Sequence, residues 1–540
     1  MRKIVECVPN FSEGRDSATI DAIAAAIRAT PGCTLLDVDP GRSTNRTVFT
    51  FVGDPASVVD GALASARVAR QRIDMRRHHG EHPRMGAMDV CPFVPVANVT
   101  MEECVACARD FAGRAAEELG IPIFLYEEAS ARDYRKALKD IREGEYEGLT
   151  DKLRRSEWAP DFGPSEFVPE WGATAAGARF FLIAYNVNVL GTKEQAHRIA
   201  LDVREQGRGS EEPGMLKAVK AIGWEVAEYR VAQVSMNLDD YRVTPPHVAF
   251  EACVERAKAL NVAVAGSELV GLIPREALLR AADYYVEREN LFILEERQRV
   301  RLAVERLGLN SVSPFDPDKR VIEYMVDDAA AQPLASATVR SFVEQLGARS
   351  SAPGGGSASA LMAAMGSALG AMVGLLSYGR RKFEALDPVM RANIPPVYEA
   401  MNALLPMIDA DTDAFGDYMA ALGMPKETEA KQRARKEAMQ AGLRKAVEVP
   451  LNTMRIADGC WEAMVALAEH CGLAMRSDLE VGARALETGI WGCGRNVHIN
   501  LRSIEDGEFT ARTREEAERL TARGAAMAGK VIETLAGRGE

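Results

Sequence analysis

Thr47-Val48-Phe49-Thr50-Phe51-Val52, followed by Gly53-Asp54-Pro55, decides the fold of the first half of the chain. Beta-branched and aromatic residues crowd the first six positions, which predicts a strand. Asp54 then offers a helix cap and Pro55 suits the first helical position, so a helix follows to about Ile73. Upstream, Asp39-Pro40-Gly41 predicts a turn after a strand over 34–38. A helix capped by Asp16 or Ser17 carries Ile20, Ile23 and Ile27 on one stripe, and 3–8 reads as a first strand. Downstream, 90–96 predicts a strand whose two prolines make it an edge or bulged one. A capping box, Thr100 with Glu103, opens a helix to Leu119, and 122–126 is another strand. Beta-alpha-beta-beta-alpha-beta is the unit of a ferredoxin-like fold.

The order recurs without the sequence recurring. A strand within 179–190 leads to a second capping box at Gly191-Thr192-Lys193-Glu194-Gln195. Paired strands over 224–229 and 232–238, a helix from Pro245-Pro246 and a strand over 262–269 complete it. Pro314, Pro317 and Pro333 punctuate a segment without periodicity. From about Ala335 the pattern is helical, with room for six to eight helices. The expected organisation is therefore multidomain: two α+β ferredoxin-like subdomains (1–178 and 179–307), a linker (308–334) and an all-α domain (335–540).

A net charge of −12 argues against nucleic acid as a bulk partner. No apolar run reaches the roughly 18 residues of a membrane span, and the first residues enter a strand rather than a signal sequence. Nine scattered cysteines indicate reduced thiols and a cytoplasmic location, and Cys104-x-x-Cys107 sits too far into its helix for a redox motif. Basic clusters remain at Arg42 and Arg46, Arg76 and Arg77, Arg84, and Arg380-Arg381-Lys382.

The chemistry concentrates in His78-His79-Gly80-Glu81-His82-Pro83-Arg84-Met85-Gly86, which holds three of the seven histidines. Imidazole takes and returns a proton near neutral pH. His78, Glu81 and His82 also fit H-x-x-E-H, a zinc pattern that requires a helix. Gly80, Pro83 and Gly86 favour a loop, which leaves His82 as a lone acid–base candidate and a zinc hydrolase as the alternative.

Long motifs carry a family resemblance. Glu6-Cys7-Val8-Pro9-Asn10-Phe11-Ser12-Glu13-Gly14, the histidine stretch, Asp161-Phe162-Gly163-Pro164 with Phe167-Val168-Pro169-Glu170-Trp171-Gly172-Ala173-Thr174, and Leu190 to Ile199 resemble glutamate formimidoyltransferase. The helical part is similar to formimidoyltetrahydrofolate cyclodeaminase, so the whole chain resembles the bifunctional enzymes of histidine breakdown. The resemblance implies formimidoyl transfer from N-formimidoyl-L-glutamate to N5 of tetrahydrofolate, then cyclisation to 5,10-methenyltetrahydrofolate with release of ammonia. It implies His82 as the proton-transferring residue and folate binding at Gly163-Pro164-Ser165-Glu166-Phe167-Val168-Pro169-Glu170-Trp171-Gly172, where Phe167 and Trp171 are candidates to pack on a ring; a linker packed by its aromatics is the alternative. It implies a helix-borne aspartate as acid in the second step. Asp411 is chosen by its place before Thr412-Asp413-Ala414-Phe415, with Asp409 and Asp413 open; the acid role requires desolvation, or a like charge such as theirs, to raise its pKa. Asn10 is a candidate lining residue. Asp39 is a candidate to orient the imidazole, or only a turn residue. Arg84 is a candidate to hold a substrate carboxylate, or a surface arginine. Gly355 and Gly356, before a helix, suit an anion or folate contact, or form a hinge. The resemblance also implies polyglutamylated tetrahydrofolate as co-substrate, no metal, and a ring-like homo-oligomer with the octamer as a candidate. A monofunctional transferase with an inactive helical domain, or a folate-binding scaffold, stays open.

Overall fold

Seven strands form the first sheet: β1 (Ile4–Cys7), β2 (Asn10–Phe11), β3 (Thr34–Gly41), β4 (Arg46–Gly53), β5 (Met88–Ala97), β6 (Ile123–Glu127) and β7 (Thr174–Ala178). The computed structural model describes residues 3–42, 44–80, 82–226, 230–326 and 332–538. Contacts divide the chain into two units, 2–326 and 327–540. In the first, β1 and β2 are one strand interrupted before Asn10, and both pair antiparallel with β4 on one side and β5 on the other. The spatial order is β3, β4, β1/β2, β5, β7, β6, with parallel pairing only where β7 joins β5 and β6. Strand β4 is central because Phe49, Phe51 and Val52 are buried, as a strand packed on both faces requires. Helices α1 (Ser17–Ala29), α2 (Pro55–Arg72) and α3 (Met101–Leu119) begin at the expected caps, Asp16, Asp54 and the Thr100–Glu103 box.

One local expectation is met in one of its two forms, and another changes. β5 is bulged, with a register shift between Ile4 and Val5, but it is not an edge: β7 pairs along its other side. Asp39-Pro40-Gly41 is not a turn. It continues β3, opposite Val48, Thr47 and Arg46. Cys104 and Cys107 are buried on α3, and burial pushes their thiols up to about 12 and about 11, which makes both inert as nucleophiles.

The second sheet comprises β8 (Ile183–Leu190), β9 (Val219–Val226), β10 (Val231–Leu238) and β11 (Ala263–Val270), ordered β11, β8, β10, β9 and antiparallel throughout. Residues 227–229, expected as the end of a strand, lie outside the described residues. Thr192 and Gln195 form the second capping box. Ile4, Val94 and Val96 of the first sheet join the apolar core of this lobe, so the two α+β lobes share packing. The segment 308–326, expected as linker, is part of that core: Val321 bridges to Ile273, and Val321, Ile322 and Val326 are buried. Residues 327–331 of the expected linker lie outside the described residues.

The second unit is helical, with seven α-helices among the described residues: Val339–Leu346, Gly355–Ser377, Asp387–Leu422, Glu429–Asp458, Trp461–His470, Arg476–Leu501 and Gly507–Gly537. Helix Gly355–Ser377 packs between Asp387–Leu422 and Arg476–Leu501. It is long and apolar enough to cross a membrane by length and composition, contrary to the expectation that no segment is, and 56% of that window is buried inside the unit. Small residues let backbones touch: a Cβ at Gly366 would lie 2.6 Å from Leu486 N, and one at Gly489 would lie 2.7 Å from Ala363 N. We expect Gly489→Ala to push these helices apart and destabilise the helical unit by ~1–3 kcal/mol. Calorimetry of the full chain checks this: one transition moves to lower temperature, and an unchanged scan contradicts the close packing.

Candidate active sites

Three adjacent strands meet at the histidine stretch and bring Asn10 (β2), Arg46 (start of β4) and Asp89 (start of β5) together. Asp89 is fully buried. It accepts from Arg46 Nη1 at 2.7 Å, from Arg142 Nη2, and from the Met85 backbone N–H at 2.9 Å. Arg46 also donates from Nε and Nη2 to Asn10 Oδ1, at 3.0 and 2.7 Å. A buried carboxylate with this many charge-assisted donors fixes them firmly.

His82 stands against this cluster in irregular backbone, as Pro83 and Gly86 dictate. Its Nδ1 lies 2.7 Å from Pro83 O and 3.3 Å from Arg46 Nη1. A carbonyl only accepts, so the shorter contact assigns the proton to Nδ1 and leaves Nε2 with its lone pair. Nε2 has no hydrogen-bond partner among the described residues. Burial, and then the Arg46 charge, lower the His82 pKa below its ordinary 6.5. The ring is therefore a neutral base at neutral pH, and once protonated it is a ready acid.

The other histidine-loop residues are committed elsewhere. His78 is buried, with Nε2 donating to Asn45 O at 2.7 Å and Nδ1 accepting from Arg84 Nε at 3.3 Å. Both nitrogens of the first presumptive zinc ligand are thus engaged, residues 78–80 and 82–84 are not helical, and Glu81 lies outside the described residues. Arg84 is buried and forks onto Glu147 at 2.8 and 2.7 Å, with Glu145 at 3.1 Å. It is neither a surface residue nor available to a substrate carboxylate. Asp39, a candidate to orient the imidazole, is exposed on β3 and its side chain makes no hydrogen bond or ion pair among the described residues; Nδ1 lies on Pro83 O. Asn10 does belong to the cluster, through Arg46.

The stretch 163–172 runs beside this loop. Gly172 pairs with Gly86, Trp171 O accepts from the Ala87 N–H at 2.8 Å, and Pro169 O accepts from Tyr146 Oη at 2.6 Å. Gly172 has φ +80°, and a Cβ there would fall 2.0 Å from Met85 O, so only glycine fits the approach. Gly163, Ser165, Glu166 and Pro169 are exposed; Pro164, Phe167, Val168 and Glu170 are half-buried. Phe167 packs on Tyr146 at 5.4 Å. Trp171 is fully buried, its Nε1 donating to Thr174 Oγ1 at 3.0 Å, so it is a core residue and not a stacking platform.

In the helical unit the three aspartates separate by environment. Asp409 is buried and accepts from the N–H groups of Leu334 and Ala335, at 2.8 and 2.9 Å. It fixes the chain before the first helix. Asp413 is exposed. Asp411 faces the first turn of helix Gly355–Ser377, where a Cβ on Gly356 would sit 2.0 Å from Asp411 Oδ1. Ser357 Oγ lies 3.4 Å from Asp411 Oδ2 and donates to Ile408 O at 2.8 Å. Burial raises the Asp411 pKa above 3.8 against the lowering effect of its Ser357 hydrogen bonds. The cause is desolvation, one of the two routes open from the sequence; the other, a like charge at 409 or 413, does not contribute. Gly355 and Gly356 lie within the helix, so the expected loop or hinge is its first turn.

Sequence reading missed Asp89, Arg142 and Ser357. Only Arg46 carried a signal, as a member of a basic cluster.

Family models match three consecutive segments: the formiminotransferase domain, N-terminal subdomain, over 4–179; the formiminotransferase domain over 184–327; and formiminotransferase-cyclodeaminase over 338–519. The formimidoyltransferase-cyclodeaminase of Dictyostelium discoideum is 60% identical over 542 residues, 100% of each chain. That of Sus scrofa is 54% identical, again over 100% of each. The glutamate formimidoyltransferase of Streptococcus pyogenes serotype M1 is 45% identical over 54% of this chain and 95% of its own. Matched end to end and in the same domain order, this chain belongs to the formimidoyltransferase-cyclodeaminase family.

Proposed function

We propose that the chain is a bifunctional folate enzyme that moves the formimidoyl group of N-formimidoyl-L-glutamate to N5 of tetrahydrofolate and then closes the 5,10-methenyl ring with loss of ammonia. The observation that carries this reading is the pair of oppositely tuned groups, a base-ready His82 in one unit and an acid-ready Asp411 in the other. In the first step N5 attacks the amidine carbon. Nε2 of His82 takes the N5 proton and the imidazolium returns one to the departing glutamate nitrogen, so one residue serves both transfers. In the second, N10 attacks the formimidoyl carbon, and Asp411, protonated, delivers a proton to the nitrogen that leaves as ammonia. Ser357 and Gly356 position that carboxyl.

The exposed part of 163–172 is the proposed folate-contacting segment, supported by the seam that its end, Trp171 and Gly172, makes with Ala87 and Gly86 after the His82 loop. Each α+β lobe is read as ferredoxin-like, supported by the antiparallel order β11, β8, β10, β9 and its counterpart β5, β1/β2, β4, β3. Polyglutamylated folate, a place in histidine breakdown and a cytoplasmic site complete the proposal, the last supported by nine free thiols. So does a ring-like homo-oligomer, supported by exposed Met365 and Val481 around a shallow 540 Å³ cavity.

His82→Ala should abolish transfer yet leave cyclisation of supplied 5-formimidoyltetrahydrofolate, and Asp411→Ala should do the reverse. Appearance of methenyltetrahydrofolate absorbance from each starting substrate reads both; loss of both activities in either folded variant contradicts two separate sites. For transfer, kcat/KM should rise with pH through an apparent pKa below 6.5 and stay level above it, because the unprotonated ring is the base. A midpoint above 6.5 excludes His82 as that base. Gly356→Ala should lose cyclisation at least ~100-fold, since the new methyl displaces the Asp411 carboxyl by an ångström or more; wild-type cyclisation in this variant removes Asp411 from the chemistry.

A further inference from the structure

Beside His82, two guanidiniums share one carboxylate. Arg46 and Arg142 both donate to Oδ2 of Asp89, while Oδ1 is taken by the Met85 N–H. Asp89 is the only acidic ion-pair partner of either arginine among the described residues, so the cluster keeps one positive charge in excess. Neither guanidinium is sealed, their side chains being 13% and 16% exposed. Nε of Arg142 is buried and has no hydrogen-bond partner among the described residues. An orphaned donor on a cation next to a reactive ring points to an anion that arrives with the substrate.

Arg142 is also held in advance. It ends the helix Leu138–Arg142, and buried Lys152 donates from Nζ to the carbonyls of Asp140, Ile141 and Glu143 at 3.0, 2.6 and 3.0 Å, with the Trp158 ring 4.0 Å away. A cation at a helix C-terminus that uses its donors on three carbonyls stiffens that end. Arg84, in the histidine loop itself, is neutralised by Glu147 and Glu145.

We propose that Arg142, with Arg46 beside it, seats the α-carboxylate of the amino-acid donor and so determines donor specificity. This rests on the transferase reading above. In N-formimidoylglutamate only the nitrogen and the α-carbon separate that carboxylate from the reacting amidine carbon, so a cation adjacent to His82 is within its reach. The glutamyl carboxylates of the folate lie at the far end of that molecule from N5.

The full chain and its Arg142→Met and Arg142→Lys variants are assayed with N-formimidoylglutamate and with N-formimidoyl-4-aminobutyrate, which lacks only the α-carboxylate. In Arg142→Met, kcat/KM for N-formimidoylglutamate should fall at least ~30-fold, mainly through KM, as loss of a charge-assisted contact implies. The 4-aminobutyrate donor should change less than ~3-fold, so the preference between donors collapses, and Arg142→Lys should restore part of it. If Arg142→Met is unfolded by circular dichroism, Arg142→Lys carries the test through a reduced preference. An unchanged preference, an equal loss on both donors, or a rise confined to the KM for tetrahydrofolate overturns the proposal, the last by assigning the arginine to the folate's own carboxylate. A wild-type chain that transfers from neither donor sinks the transferase reading itself.

Discussion

The carboxylate of Asp89 is the constraint on which the first unit's site depends. It is fully buried and would be intolerable there alone, because an unpaired charge in a protein interior is strongly disfavoured. Its partners come from distant parts of the chain: Arg46 opens β4, Arg142 ends a short helix, and the Met85 N–H belongs to the histidine loop. Satisfying one residue thus fixes two guanidiniums and the backbone just after His82. Arg46 in turn fixes Asn10 and lies against the His82 ring. Irregular backbone rarely holds a side chain to fractions of an ångström by itself. Here the loop borrows its rigidity from three central strands through one acid.

The same dependence explains what the sequence disclosed. Elements defined by near neighbours were legible: the capping boxes at Thr100 and Thr192, the Pro55 helix start, the α+β character of both lobes, and the non-helical path around Gly80 and Pro83. The resemblance to known motifs singled out His82 and Asp411. Features defined only across space were not legible. Arg142 and Asp89 are 53 residues apart, and neither has a local pattern that marks it as paired. Arg84 looked free for the same reason, because Glu145 and Glu147 lie some sixty residues on. Trp171 misled in the opposite sense. An aromatic in a Pro/Gly-rich stretch suits ring stacking, yet its indole N–H finds Thr174 and its rings fill the core. The two prolines of β5 suited an edge or a bulge; the bulge is there, and the neighbour that makes the strand interior, β7, enters from far along the chain in parallel.

The two candidate sites are tuned by one physical route. Desolvation penalises whichever form of a group carries charge. It lowers the pKa of His82 and raises that of Asp411, so each is pushed toward its neutral form. For an imidazole the neutral form is the base; for a carboxyl it is the acid. A partly buried position therefore favours the proton-accepting form at His82 and the proton-donating form at Asp411, the forms their proposed roles require. The surrounding charges act differently. At His82 the excess guanidinium charge works in the same sense as burial, so the ring is doubly disinclined to hold a proton and returns it readily. At Asp411 no arginine or lysine enters the balance, and the Ser357 bonds oppose burial without overcoming it. A cation there would favour the carboxylate over the protonated form on which the proposed second step relies. The contrast separates an arginine-rich candidate site at His82 from a candidate site where Gly356 and Ser357 face Asp411.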